Sequence, residues 1–299
     1  MKKNKNRIAT AFALSALVFV AASCVNEKHE EQSSTEKSVT ASAPTAFPYD
    51  LDDPVKYNMP QNLFEISGIV FHKGDSKEVF AIQDEDGDLF HLGLSDKESK
   101  FTKFGGKGDY EDVTIINDYV IVLKSNGELH TFPISGINGA EAKNVVKTKD
   151  LVPKAEYEGL AADEKAGKIF VLTKEVKKGK ANQTDVFSFK FNAGKFTSDK
   201  TYSLPFKEIA EVAGDSKIKF RPSALAKNPA TGEWYILSSI NKLLLVTDAE
   251  FKIKSAYPLK RSFFNQPEGI AFDKDNNLYI SNEGGTLAAG NILLFKLKK

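Results

Sequence analysis

The polar and hydrophobic positions of this chain follow a pattern that repeats five times after residue 46. Each repeat opens on a serine or glutamate that leads into an apolar strand, and the copies begin about 44, 47, 65 and 45 residues apart. The five copies are Ser67-Gly68-Ile69, Glu111-Asp112-Val113-Thr114, Glu158-Gly159-Leu160-Ala161, Ser223-Ala224-Leu225-Ala226 and Glu268-Gly269-Ile270-Ala271. A period near 45 residues is typical of propellers with four-stranded blades. The sequence therefore predicts an all-β fold, a five-bladed β-propeller.

Three further strands are expected in each repeat. The second is a short apolar run such as Val79–Ile82 or Trp234–Leu237, which suits a strand buried on both faces between stacked blades. The last repeat has no outer strand, and we expect the N-terminal segment Phe47–Leu51 to supply it and close the ring. The longest interval holds about 18 extra residues, in which Pro205–Gly214 has the apolar spacing of a short helix.

The N-terminus has the pattern of an export signal rather than of a folded element. Basic residues precede an apolar run at Ile8–Val20, and small residues then precede Cys24, the only cysteine. This arrangement resembles a bacterial lipobox, in which Cys24 is acylated. The alternative is an ordinary signal peptide with an unmodified Cys24. A transmembrane span is disfavoured because the apolar run is short.

The chain is thus expected to divide into a signal peptide (1–23), an acylated cysteine with a flexible polar tether (24–46) and the propeller (47–299). The lipid would hold the protein at the cell envelope, at the outer membrane, facing either the periplasm or the surface. One cysteine allows no intrachain disulfide. The formal net charge of +1 and the lack of a basic run disfavour nucleic acid as a partner. We expect a monomer.

The residues that begin the inner strands predict a metal site. Equivalent strands bring Ser67, Glu111, Glu158, Ser223 and Glu268 to one level of the channel, and Glu65 faces the same side as Ser67. Converging carboxylates repel by several kcal/mol at an effective dielectric near 20, so they require protons or a cation. Oxygen ligands without histidine or cysteine favour Ca²⁺. The predicted ligands are Glu65, Glu111, Glu158 and Glu268. The alternative is that each glutamate accepts backbone N–H groups of a neighbouring blade.

A second polar group follows the second strands and is expected at one end of the channel. Its predicted rim or ligand contacts, together with the inner-strand serines and one arginine, are Ser67, Asp84, Glu85, Glu175, Arg221, Ser223, Asn282 and Glu283. A merely solvated acidic rim is an equally good interpretation. Arg221 is either a salt-bridge partner or an anion-binding group.

Several of these segments together resemble the bacterial SdiA-regulated family, over about residues 47–299. The segments are Leu63–Ile69, Ala81–Glu85, Tyr110–Asp112, Tyr157–Leu160, Arg221–Ala224 and Gln266–Ile270. The resemblance implies a five-bladed propeller distantly similar to NHL-repeat proteins, with a bound calcium ion. It implies no established biochemical activity.

The function expected from these features is binding or scaffolding at the envelope, with an unknown protein or small molecule as ligand. The alternative is a calcium-dependent hydrolase of the lactonase or phosphoesterase type, with the metal at the channel mouth as Lewis acid. The four histidines show no ligand spacing, so only carboxyl groups, Arg221 or water could transfer a proton. The sequence leaves open whether the chain is an enzyme, and it names no catalytic residue.

Overall fold

Five four-stranded antiparallel sheets form a ring in a computed structural model that describes residues 47–137, 139–175, 182–285 and 288–298. The prediction of an all-β five-bladed propeller is confirmed. Blade 1 contains β2–β5, blade 2 β6–β9, blade 3 β10–β13, blade 4 β14–β17, and blade 5 β18–β20 with β1. The strands are β1 (Val55–Asn58), β2 (Ile66–Val70), β3 (Val79–Gln83), β4 (Asp88–Leu92), β5 (Lys100–Lys103), β6 (Tyr110–Ile116), β7 (Tyr119–Lys124), β8 (Leu129–Pro133), β9 (Val146–Thr148), β10 (Glu156–Asp163), β11 (Lys168–Glu175), β12 (Gln183–Asn192), β13 (Lys195–Pro205), β14 (Ala224–Lys227), β15 (Trp234–Ser238), β16 (Leu243–Thr247), β17 (Ile253–Pro258), β18 (Pro267–Phe272), β19 (Leu278–Asn282) and β20 (Asn291–Phe295).

The hydrophobic core consists of five clusters, one between each pair of neighbouring blades. The second strand of a blade is buried on both faces, as its unbroken apolar sequence requires, and β15 is buried at every position. Between blades 3 and 4, Trp234 packs its ring 4.4 Å from Phe170 and 4.8 Å from Phe251. Stacking apolar faces in this way removes them from water and fixes the angle between blades.

The ring is closed by an N-terminal strand, but by a different segment from the one the sequence indicated. Strand β1 pairs antiparallel with β20, with Val55 opposite Leu294, and so completes blade 5. Residues 47–51 form no strand. Their aromatic side chains instead cover blades 4 and 5, and buried Tyr49 donates a hydrogen bond to the carbonyl oxygen of Asn276 at 2.8 Å. The prediction failed because an apolar segment can be buried by side-chain packing as well as by strand pairing.

The predicted helix is present as α1 (Phe206–Ala213), which ends at Gly214 in the left-handed conformation. Three-residue and four-residue 3₁₀ turns lie at Gln61–Leu63, His72–Gly74 and Ile134–Ile137. In the described part of the chain, no helix has the length and apolar character needed to cross a membrane. The predicted signal peptide, Cys24 and the tether lie outside the described residues.

The inner strands β2, β6, β10, β14 and β18 stand side by side around a central channel whose two ends differ in chemistry. At the end where these strands finish, an open cavity of about 1020 Å³ has a mostly apolar inner wall that includes Ile69, Leu160 and Ile270. The opposite end, where the strands begin, carries the predicted polar residues. We call this end the channel mouth.

Candidate functional site

A β-bulge at the start of three inner strands determines where the glutamates point. The pairing register shifts between Tyr110 and Asp112 in blade 2, and equivalent shifts flank the glutamates of blades 3 and 5. Glu111, Glu158 and Glu268 are therefore the extra, unpaired residues of their strands. Bulges re-aim a side chain out of the regular alternation and are common beside functional sites. Here they place three carboxyl groups at the same level of the channel mouth.

The inner strands of blades 1 and 4 carry serine at this level, and both serines are buried. The Ser223 hydroxyl donates a hydrogen bond to the carbonyl oxygen of Pro267 at 2.7 Å. The carbonyl oxygen of Ser67 accepts one from the Ser281 hydroxyl, also at 2.7 Å. Each contact joins two neighbouring blades, so the two serines stabilise the ring.

Glu111 and Glu158 are acidic neighbours at the channel mouth. Burial raises the pKa of both carboxyl groups, and the negative charge of Glu158 raises that of Glu111 further. The acidic side chain of Asp109 also raises the pKa of Glu111. Glu111 therefore holds a proton more strongly than an ordinary glutamate does.

An ammonium group that sequence reasoning missed lies among these carboxyl groups. Lys174 Nζ forms an ion pair with Glu158 Oε1. Burial lowers the pKa of Lys174, but the charges of Glu158, Glu111 and Glu268 raise it more, so the net shift is upward. The site therefore contains its own cation, which compensates part of the negative charge.

The strand register explains why Lys174 was missed. Gln83, Thr173 and Asn282 occupy the same place in β3, β11 and β19, opposite Ile66, Tyr157 and Pro267 of the inner strands. The next residue in each blade is Asp84, Lys174 or Glu283. The predicted polar group named Glu175, which lies one residue beyond this position, and did not include Lys174. The sequence did contain a signal for the correct position, because Thr173 directly follows the apolar run of its strand just as Gln83 follows that of β3.

Glu268, Glu283 and Asp84 form the other acidic side of the mouth. Burial and the charges of Glu158 and Glu283 raise the pKa of Glu268 to about 8. Burial and the charges of Asp84 and Glu65 raise the pKa of Glu283 to about 7. Burial and Glu65 also raise the pKa of Asp84, and its Oδ1 atom is buried without a hydrogen-bond partner among the described residues. Glu65 itself is exposed.

The alternative interpretation was that each glutamate accepts backbone N–H groups of a neighbouring blade. In the structure, a different residue accepts such groups. Asp112, beside Glu111, accepts the N–H groups of Val113 at 2.8 Å and of Leu160 at 2.7 Å. Among the described residues, Glu111, Glu158 and Glu268 have no backbone donor. Burial raises the pKa of Asp112 well above its usual range, against the effect of the two N–H donors. Asp112 is thus a structural link between blades, and the glutamates remain available to a ligand.

The remaining predicted contacts separate into paired and solvated groups. Arg221 forms an ion pair with Glu175, so both are held by each other at the edge of the mouth. Asn282 is fully buried, and its Nδ2 donates to Asn291 Oδ1 at 3.3 Å. Glu283 accepts a hydrogen bond from Gln266 Nε2. Glu85 is exposed, 3.7 Å from Lys107 Nζ, as a solvated rim residue would be.

A pocket of about 290 Å³ adjoins the mouth beside Ser223. Lys174, Arg221, Lys242 and Arg261 line it together with Ser239, Ile240, Gln266 and Glu268. Burial and the positive charge of Arg261 lower the pKa of Lys242. Sequence reasoning did not find this pocket, because its cationic residues lie near the end of strand β11 and on three separate loops.

The donor chemistry at the mouth fits a hard cation, since the groups are carboxylates with raised pKa values. Within the described residues, however, no three carboxylate, imidazole or thiol groups are arranged to hold a metal ion. The positive charge beside Glu158 is that of Lys174. A bound metal would therefore compete with the ammonium of Lys174 and with the proton of Glu111. The predicted Ca²⁺ site stays a prediction.

Solved structures with a similar fold include two propeller proteins from bacteria. Glutaminyl cyclase from Myxococcus xanthus has a TM-score of 0.52 at 15% identity, over 82% of this chain and 96% of that one. Regucalcin, a calcium-binding protein from Agrobacterium tumefaciens strain C58, has a TM-score of 0.50 at 11% identity, over 85% of this chain and 95% of that one. At such low identity the likeness concerns the fold alone.

No curated protein sequence matches the chain. The family model of the SdiA-regulated proteins matches residues 43–286, which include all five inner strands and every channel-mouth residue described above. The chain belongs to the SdiA-regulated family.

Proposed function

We propose that this protein is a lipid-anchored propeller of the cell envelope that binds a ligand at its channel mouth. The observation that carries the proposal is the set of three glutamates, placed by equivalent β-bulges around the ammonium of Lys174. Gathering half-buried like charges costs stability, so such clusters with shifted pKa values are candidates for functional sites. The lipid anchor rests on the sequence pattern around Cys24.

We propose Ca²⁺ as the cation of this site, with Glu111, Glu158, Glu268 and Glu65 as its ligands. Support comes from the carboxylate donors, from their raised pKa values and from the fold likeness to a calcium-binding regucalcin. Bound Ca²⁺ would neutralise the acidic mouth and offer an open coordination position to an oxygen of a ligand. The carboxyl groups would lose their protons on binding, so affinity should rise with pH.

The test is thermal unfolding of the folded domain with a chelator, with Ca²⁺ and with Mg²⁺. A metal bound only by the folded state stabilises it, by about 2.7 kcal/mol at 100 times the dissociation constant. Ca²⁺ should raise the melting temperature of the wild type and leave that of the Glu158→Gln variant nearly unchanged. Glu208→Gln is the matched control, because Glu208 is exposed on α1, away from the mouth. A wild-type melting temperature that changes with neither the chelator nor Ca²⁺ would contradict the calcium proposal.

Lys174 provides a second and sharper test of the same site. If Lys174 and Ca²⁺ compete for Glu158, Lys174→Met should destabilise the metal-free protein and bind Ca²⁺ more tightly than the wild type. The control is Lys252→Met, an exposed lysine with no ion pair to any described residue. Weaker Ca²⁺ binding by Lys174→Met would show that the ammonium and the metal do not share a position.

A calcium-dependent hydrolase is the second candidate. Glu268 and Glu283 are partly buried carboxyl groups at the same mouth, which is the arrangement that general acid–base catalysis requires. With Ca²⁺ present, a hydrolase should cleave simple lactones or phosphate esters, and Glu283→Gln should lose most of that rate while keeping Ca²⁺ binding. If the protein hydrolyses none of these esters faster than buffer alone does, the hydrolase proposal is refuted and the proposal of a binding module stands.

A further inference from the structure

The pocket beside Ser223 exists because blade 4 departs from its neighbours at one position. In blades 2, 3 and 5 the bulged residue of the inner strand is glutamate, whereas blade 4 has Ser223. The short serine side chain is turned to the carbonyl oxygen of Pro267 and leaves the space in front of it open. Loops of blades 3, 4 and 5 surround that space and form the 290 Å³ pocket.

Four cationic side chains line this pocket, and they differ in how they are compensated. Lys174 and Arg221 are paired with Glu158 and Glu175. Lys242 and Arg261 form no ion pair with any described residue, and Lys242 Nζ donates only to the backbone oxygen of Asn265. Glu268 lines the same pocket, and its charge acts on Lys242 in the direction opposite to that of Arg261. Because neither Lys242 nor Arg261 is held in an ion pair, both can contact an anion that enters the pocket.

The wall of the pocket also has an apolar part. Ile240 lines it and is 55% exposed, and the buried ring of Pro222 lies in the same wall. An exposed isoleucine alone needs no explanation, but here it lies in the same small pocket as two cations that form no ion pair with any described residue. A ligand that satisfies both features has an anionic group and an apolar body.

We infer that this pocket binds a small organic anion, with its carboxylate or phosphate group held by Lys242 and Arg261 and its apolar part against Ile240. A planar guanidinium and an ammonium together provide the donors that such groups accept in charge-assisted hydrogen bonds. The inference rests on the proposal that the channel mouth binds a ligand, and it names the chemistry of that ligand.

Titration by NMR with acetate, butyrate, hexanoate and inorganic phosphate tests the inference, with the chelator present throughout. The carboxylates should bind with affinity that increases with chain length, by up to about fourfold for each methylene group that is buried. Lys242→Met and Arg261→Met should each weaken hexanoate binding about tenfold or more, since each removes a charge-assisted contact. Tighter binding of phosphate than of acetate would identify a phosphate ligand, and the reverse a carboxylate.

Lys252→Met is the matched control, because it removes the same charge at an exposed site outside the pocket. Equal binding by Lys252→Met and Lys242→Met would mean non-specific attraction and would overturn the inference, as would the absence of saturable binding in the wild type. Lys252 is exposed and Lys242 is only partly buried, so a folded spectrum is expected for each variant. If Ca²⁺ raises the melting temperature but none of these anions binds, the anion-binding inference is refuted and the calcium proposal stands. If an anion binds but Ca²⁺ leaves the melting temperature unchanged, the calcium proposal is refuted and the anion-binding inference stands.

Discussion

Asp112 Oδ2 accepts the backbone N–H of Leu160 at 2.7 Å, and this hydrogen bond joins the inner strands of blades 2 and 3 across the channel wall. Gly68, Gly159, Ala224 and Gly269 occupy the equivalent position in the other blades. The carboxylate has room because Gly68 lacks a side chain, and a Cβ atom there would overlap with Asp112. An aspartate is thus buried at one of five equivalent places and links two blades beside the candidate site.

Replacing Asp112 with alanine should destabilise the domain by about 2–4 kcal/mol, because it leaves the N–H groups of Val113 and Leu160 without a partner in a dry wall. The urea midpoint of unfolding measures this change. Ser223→Ala is a useful comparison, since it removes a single buried hydroxyl contact and should cost about 1 kcal/mol. An Asp112→Ala protein as stable as the wild type would show that the link is dispensable.

The pKa of Glu268 makes stability depend on pH in the absence of metal. Its folded value of about 8 lies above the ordinary value of 4.5, so the folded state holds a proton that the unfolded state releases. The free energy of unfolding should therefore fall as the pH rises from about 5 to 8, by roughly 1–3 kcal/mol for this group. Glu268→Gln cannot titrate and should show a flatter profile.

Denaturant unfolding at pH 5 and pH 8.5, with a chelator, measures this dependence. If the wild type gains stability over that range, or if Glu268→Gln shows the same slope, the shifted pKa is not a property of Glu268. Ca²⁺ should remove most of the slope when it binds, because metal binding displaces the proton.

The N-terminal closure predicts unequal effects of two deletions. Removing residues 47–58 takes away strand β1 and the Tyr49 contacts, and so exposes the edge of β20 and a face of the core between blades 4 and 5. The melting temperature should fall sharply. Removing residues 25–42 should leave it nearly unchanged, because that segment is predicted to be a polar tether. Equal melting temperatures for the two truncated proteins would contradict closure by β1.

The proposed lipid anchor predicts a change in location without a change in fold. Cys24→Ser should move the protein from the membrane fraction to the soluble fraction of the envelope, while its melting temperature stays the same. A second version with the signal of a soluble exported protein serves as control. Membrane association that survives in both proteins would contradict lipidation of Cys24.

The repeat alone predicted the fold, because each blade must bury both faces of its inner strands and so repeats the same apolar runs. The closing strand was misplaced, since sequence does not distinguish the packed aromatic residues of 47–51 from the paired Val55–Asn58. Glu111, Glu158 and Glu268 were found because equivalent strands bring equivalent positions together. Lys174 was missed by one residue, because strand register, not composition, decides which side chain faces the mouth.

The pocket beside Ser223 could not be predicted from the sequence, and the reason is a different one. Lys242 and Arg261 lie 19 residues apart on two loops, and only the packing of blades 3, 4 and 5 brings them to one cavity with Lys174. That neither of them forms an ion pair is visible only when every ion pair of the surrounding described residues is known.

A crystal structure of the domain grown with Ca²⁺, with anomalous diffraction recorded at long wavelength, is the sharpest test of the proposed calcium site. We expect a calcium peak at the channel mouth, about 2.3–2.6 Å from carboxylate oxygens of Glu111, Glu158, Glu268 and Glu65. We also expect that the ammonium of Lys174 has left Glu158. Crystals saturated with Ca²⁺ that show no anomalous peak there, with Lys174 still paired to Glu158, would contradict the proposal.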